Sequence, residues 1–567
     1  MFWHIGNTTI RNPYRIKDLA QAFHENQDKL NDLYKTGEKA ELEQSKLFEI
    51  AKKTGVIKTN TSEFSSKAWH GRKLRLTLFE MGIITDGRYD NSNKCQLTKT
   101  GLMLINSDDE QQQYCWLRII FSLETRKTGY NNRISKPLKP APLILSILLN
   151  LKNSGYKSVL SIHELALIVM TGTPDKSINE YVMEIIELRE ELKTNQGNIR
   201  NLLDSKYKAV ARKNNIKQNT INDYKDVTRR YLLISGVFLE KGNGIIINPN
   251  YDKQAELLSQ EIESLEWDEK DLYFKKLTSF PKLSINENKD LLVSLIKENH
   301  EQIINNDIKV ENPNFEKSIE ELEMVRVSQD IQIRNIKERE FAYAQRNKTN
   351  VILKWIEYLQ SGRSPDIEID DEYLSFRSSD ERPKLLEWII WRAFLSINCL
   401  KNQPYDSRNF KLDPNFKPIN HAPGGLADLV FEFEDFILVV ELTWLTSSRQ
   451  TSNEVMPVAN HVAKVANSSK KKVFGLLIAP SIDSNTLLDY KTKDTVILNE
   501  NGNEIEQKID LIPITIEQFK IFFNNIPKAN PNNPRKLYSI LNNCRDQTAL
   551  NKSYTDWKEH INSQFLN

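Results

Sequence analysis

At 567 residues, 39% hydrophobic and 27% charged, the chain exceeds one compact core and has the composition of a soluble multidomain protein. No apolar run approaches the roughly 18 residues of a membrane span, and Met1–Arg11 lacks the basic-then-apolar layout of a secretory signal. No membrane partner and a cytoplasmic location are therefore expected. The net charge is only +2, but residues 1–250 hold 38 Lys and Arg against 27 Asp and Glu, and the remainder holds 40 against 49. That asymmetry predicts a polyanion-binding half followed by an acidic half with other work.

Two segments of the basic half share one layout. The first is a predicted helix over Lys67–Phe79, carrying Arg72, Lys73 and Arg75, with a glycine stop at Gly82, a strand at Ile83–Ile84, a polar turn over 86–93 and a second strand over Cys95–Gly101. The second is a predicted helix over Ile221–Leu233, carrying Lys225, Arg229 and Arg230, with Gly236, a strand through Phe238, a turn at Lys241–Gly244 and a strand over Ile245–Pro249. Helix, glycine stop, strand, glycine-rich turn and strand is the layout of a winged helix, whose helix enters the DNA major groove. Double-stranded DNA is the expected partner, met by these six cations. Residues 254–347 are charged, with apolar positions three and four apart, which suits a helical connector. Pro365 and the acidic run to Glu372 are expected in a loop.

The C-terminal part alternates predicted helices and apolar strands, the pattern of an α/β domain. Helix Arg382–Ile397 comes first, then a strand pair within Ala427–Trp444, a helix from about Pro457, strand Lys472–Ala479, strand Ile509–Ile514 and helix Glu517–Phe523. No phosphate-cradling glycine loop or dinucleotide fingerprint is present. Cys95, Cys115, Cys399 and Cys544 form neither a CxxC pair nor a zinc-ligand spacing and read as reduced thiols.

The strand pair carries the chemistry. A two-residue turn at Glu434-Asp435 sets Asp428 directly opposite Glu441. Alternation puts Leu429, Phe431, Phe433, Phe436, Leu438 and Val440 on one face, and Asp428, Val430, Ile437, Val439 and Glu441 on the other. Two carboxylates so opposed lie about 5 Å apart and repel. A hard divalent cation, Mg²⁺, removes that repulsion and can polarise a phosphodiester and its attacking water. Glu387, within the apolar helix, and Glu454 and His461 are candidate supporting residues. His421 is expected to order the loop before Asp428.

Ile5–Pro13, Pro383–Ile397, His421–Asp428, Glu441-Leu-Thr443 and Glu454–His461 resemble, in order, the N-terminal signature and catalytic segments of the AlwI family of type IIS restriction endonucleases. The resemblance implies a winged-helix-like DNA-recognition domain over 1–260, a helical linker over 261–347 and a PD-(D/E)xK-like nuclease domain over 348–567. It implies Mg²⁺ held by Asp428 and Glu441, with Glu387, Glu454 and His461 completing the catalytic set. It also implies a cognate DNA methyltransferase and a second subunit or transient dimer for the second strand. Thr443 stands where the wider nuclease motif has lysine, so Glu454 and His461 are expected to share that role. Two alternatives stand beside this reading: a strand-specific nicking subunit, and a non-catalytic winged-helix regulator.

Overall fold

The computed structural model describes residues 2–34, 40–57, 61–87, 94–126, 136–363, 367–370, 372–376, 381–397, 399–423, 425–500, 503–528 and 530–566. The chain divides into two compact units, Met1–Ile333 and Arg334–Asn567. Both mix helices and strands, so the protein is a multidomain α+β chain.

The first unit is mostly helical. Helix Phe64–Glu80 and helix Gln218–Leu233 form where the charge and apolar patterns predict them. Each is followed by a glycine with left-handed φ, Gly82 at 69° and Gly236 at 75°, a conformation that costs glycine nothing. After the second helix, strands Phe238–Lys241 and Gly244–Ile247 pair antiparallel, and the short strand Leu160–Ser161 adds to the hairpin's free side. The first segment differs. Only Ile84 and Leu97 bridge, and Thr98 caps a helix over Lys99–Asn106 where a strand was expected. The turn residues 88–93 lie outside the described residues.

The expected connector is not separate. Tyr273, Phe274, Leu277 and Leu283 lie in the first unit's core, and Thr100 donates to the Leu277 carbonyl at 2.6 Å. A helix of 26 residues, Ile319–Ala344, carries the chain from one unit into the next.

In the second unit, helix α1 (Arg382–Ile397) buries every residue from Leu385 onward, as its near-continuous apolar sequence requires. Strands β1 (Leu429–Glu432) and β2 (Phe436–Leu442) form the hairpin. Helix α2 (Ser448–Asn467), strand β3 (Lys472–Ala479), helix α3 (Ser484–Thr492) and strand β4 (Leu511–Thr515) follow. The sheet order is β4-β3-β2-β1, with β1 and β2 antiparallel and the rest parallel. β2 is therefore central and buried on both faces, one against the core with α1 and the other under α2. Around the acidic run, Ile367–Ile369 and Glu372–Leu374 form a two-stranded ladder instead of a loop, while Pro365 and Asp366 lie outside the described residues.

Candidate active site

The β1–β2 register pairs Leu429 with Val440 and Glu432 with Ile437, so its continuation sets Asp428 opposite Glu441. The six residues assigned to the inward face, from Leu429 to Val440, are essentially fully buried. Asp428 Oδ2 accepts from the Leu442 amide at 2.8 Å. Glu441 is buried, and its Oε1 lies 2.7 Å from His461 Nδ1. With Nδ1–H donated to that carboxylate, His461 keeps Nε2 as a proton acceptor.

Helix α2 brings the third and fourth groups. It begins at Ser448, so Pro457 lies inside it and Glu454 sits on the helix, where the sequence placed it just ahead. Glu454 and His461 are seven residues apart, two helical turns, and share a face. Gly475 of β3 permits the close approach of α2, because a Cβ there would lie 2.5 Å from Val462. Glu387 is buried on α1, where one oxygen lies 3.1 Å from His421 Nδ1 and the other accepts from the Ala422 amide at 2.9 Å. Both oxygens thus hold the loop leading into Asp428, and His421 orders that loop as expected.

Burial, then the neighbouring charges of Glu387 and Glu441, push the Asp428 carboxyl well above the usual carboxylate range. Burial also raises Glu441, partly opposed by His461. Among the described residues, neither acid forms an ion pair with a Lys or Arg. Thr443 lies two residues beyond Glu441 on the same side of β2, and its hydroxyl accepts from the Leu445 amide at 3.0 Å, which makes it a turn-former.

Tyr490 of α3 was not foreseen. Its ring is fully buried and its hydroxyl has no hydrogen-bond partner among the described residues, and burial, with Glu441 and Glu454 adding to it, raises its pKa. Its only sequence signal is the apolar pair it makes with Leu487, three residues earlier, which looks like ordinary core.

The donor set fits a hard divalent ion: carboxylate oxygens, excess negative charge and, among the described residues, no Lys or Arg paired with them. Among the described residues, no group of three or more His, Cys, Asp or Glu forms a closed metal cage. Mg²⁺ needs no such cage, since it keeps waters and takes one or two carboxylates.

The six cations expected to meet DNA separate. Arg72 is exposed, and Lys73 sits 5.6 Å over the ring of the exposed Trp69. The other four, which the sequence reading also set on DNA, face partners within the unit. Arg75 is buried between Glu43 and Asp86, each at 3.3 Å. Lys225 donates to Tyr207 at 3.0 Å, and Arg229 pairs with Asp226 and Glu240. Arg230 is half-buried and bonded to Asp226 at 3.0 Å. A bare buried guanidinium would lose its hydration, so such groups turn toward counter-charges.

Among the described residues, these carboxylates have no Lys or Arg partner and lie beside a histidine at the ends of a mixed sheet. The family model for the AlwI restriction endonuclease matches residues 79–522, so the chain belongs to that family. It is a type II site-specific deoxyribonuclease. Among solved structures, the small subunit of the heterodimeric restriction endonuclease R.BspD6I is 21% identical, with 38% of this chain and 97% of that chain covered at a TM-score of 0.28. The BpuJ1 endonuclease binding domain, solved with modified DNA, is 13% identical, covering 42% of this chain and 85% of that chain at 0.28. FokI is 11% identical, covering 92% and 95% at 0.23. No curated protein matches. No helix among the described residues is long and apolar enough to cross a membrane.

Proposed function

We propose that this restriction endonuclease is of type IIS: residues 1–333 read a short asymmetric duplex site, and residues 334–567 hydrolyse a phosphodiester at a fixed distance outside it. The carrying observation is the opposition of the half-buried Asp428 and the buried Glu441, which among the described residues have no Lys or Arg partner. They would hold Mg²⁺, which when bound supplies Lewis-acid stabilisation of the scissile phosphate and a more acidic water. Glu441 orients His461 through the 2.7 Å contact, and His461 Nε2 takes the proton from the attacking water. Glu454, on the same face of α2, positions that water, and Glu387 positions Asp428 through the 421–422 loop.

The mixed sheet with the acids at the β1–β2 ends supports a PD-(D/E)xK-like reading of the second unit. The helix and three-stranded ladder at 218–247 support a winged-helix-like reading within the first. Arg72 and Lys73, beside Trp69, are the outward cations of helix Phe64–Glu80 and suit phosphate contact. The chain offers one such acidic centre among the described residues. The second strand therefore requires a second copy or a partner subunit, and without either the enzyme nicks. A restriction enzyme of this kind needs a cognate DNA methyltransferase to protect the host's own sites.

Run-off sequencing of plasmid digested with Mg²⁺ tests the reading. One asymmetric site with cuts at a constant offset is expected. Cutting inside the site, or at scattered positions, would overturn the type IIS assignment, and relaxed circles without linear product would identify the nicking form.

A further inference from the structure

Helix Ile199–Asn214, a three-residue turn and helix Gln218–Leu233 form a helix-turn-helix corner whose basic character lies elsewhere than the sequence pattern suggests. Residues 199–222 hold six Lys and Arg and one carboxylate, Asp204. The corner's inner side is tied by polar contacts. Lys225 donates to the Tyr207 hydroxyl, which lies 2.9 Å from His163 Nδ1, and Gln218 donates to Asp204 at 2.8 Å. Asn215 turns the chain with φ at 51°. With those contacts made, the outer side exposes Arg212, Lys213 and Lys217, for which no ion pair exists among the described residues, and the free side-chain amides of Asn219 and Asn222. The two asparagines are three residues apart and so share one helical face.

We propose that this corner is a duplex-DNA contact surface, with Arg212, Lys213 and Lys217 on phosphates and Asn219 and Asn222 on base edges in the major groove. It rests on the reading of residues 1–333 as the DNA-binding unit, and it moves the contact from Lys225, Arg229 and Arg230 to residues not singled out by the sequence pattern. Charge complementarity argues for the polyanion, since among the described residues the three cations have no intramolecular counter-ion to leave. The asparagines argue for duplex DNA, because Asn pairs bidentately with adenine N6 and N7 and the major groove admits a helix. The deep, narrow major groove of an RNA duplex does not. The first turns of the second helix are also where a helix-turn-helix reads bases.

The test uses the full chain in Ca²⁺ with a duplex carrying the site mapped by run-off sequencing. Replacing Arg212, Lys213 and Lys217 together by Gln should weaken binding to cognate and unrelated duplexes alike. The slope of log affinity against log salt should fall by about 0.9 for each lost phosphate contact. Asn219→Ala and Asn222→Ala should each lose about 5- to 150-fold at the cognate duplex with unrelated duplexes unchanged. In the unsubstituted protein, bound DNA should slow acetylation of Lys213 and Lys217, a readout that needs no variant to fold. An RNA duplex of the same sequence should compete poorly, and equal competition would overturn the base-reading role. If the wild-type chain binds DNA but the triple variant keeps its affinity and salt slope, with both lysines unprotected, the corner is not the surface while the DNA-binding reading stands. If the wild-type chain shows no salt-dependent duplex binding, both fail together.

Discussion

Helix Gln218–Leu233 in the first unit and the β1–β2 ends in the second both bury ionisable side chains, and they resolve the burial differently. On the helix, Arg229 lies between Asp226 and Glu240, so each charge taken from water meets an opposite one. Arg75, between Glu43 and Asp86, repeats the arrangement. At the strand ends, Glu387 and Glu441 raise Asp428, and Glu454 raises Glu441, opposed by His461 and by backbone amides rather than by an ion pair with Lys or Arg among the described residues. The contrast recurs inside the second unit. Burial alone would raise Glu372, but the paired Arg392, at 2.7 and 2.8 Å, holds it at about 2. Asp428, lacking such a partner, is pushed the other way. Buried charge that is compensated serves architecture, whereas buried charge left uncompensated is a place where a cation and chemistry belong.

The largest effect that tests this contrast is loss of cleavage. Asp428→Asn or Glu441→Gln should abolish cutting while specific DNA binding in Ca²⁺ stays nearly intact. Cutting above a few per cent of wild type by either variant would remove that residue from the metal site. Next come Glu454→Ala and His461→Ala, each expected to slow single-turnover cleavage by ~10²–10⁴-fold without a matching loss of binding. Thr443→Ala should cost little, since its hydroxyl is engaged by the Leu445 amide. The reverse pattern would make the threonine the catalytic group.

Stability should respond with opposite signs in the two places. Arg75→Ala leaves Glu43 and Asp86 buried without their cation and should cost about 3–5 kcal/mol in urea unfolding. Asp428→Asn should instead raise the metal-free protein's stability at neutral pH. An acid whose folded pKa exceeds its unfolded value opposes folding once the pH passes the unfolded value, and the amide removes that term. Equal destabilisation by both variants would break the comparison.

The smallest expected effect is a pH dependence in the first unit. Burial, then Lys225, lowers the His163 pKa to about 4. The unfolded chain therefore binds the proton more readily than the folded one. The contribution of neutral His163 is complete above the unfolded value of about 6.5 and is lost as pH falls from there toward 4. His163→Gln should flatten the unfolding midpoint over that window, and an unchanged profile would show that His163 does not carry it.

Sequence alone determined the hairpin and its register. A two-residue turn and strict alternation admit one pairing, so the opposition of Asp428 and Glu441 follows from local geometry. It determined most elements of the second unit for the same reason, since period-two and period-3.6 patterns are properties of short segments. Which face of a helix meets solvent was decided only by tertiary structure. Periodicity groups Lys225 with Arg229, but it does not say that Tyr207 and Glu240 arrive from other elements to receive them. In the same way Tyr490 joins the acidic centre from a helix 49 residues beyond Glu441, and Glu454 with His461 reaches it only because Gly475 leaves room for α2. A charged side chain's role depends on which counter-charges the fold delivers to it, and those come from residues distant in the chain.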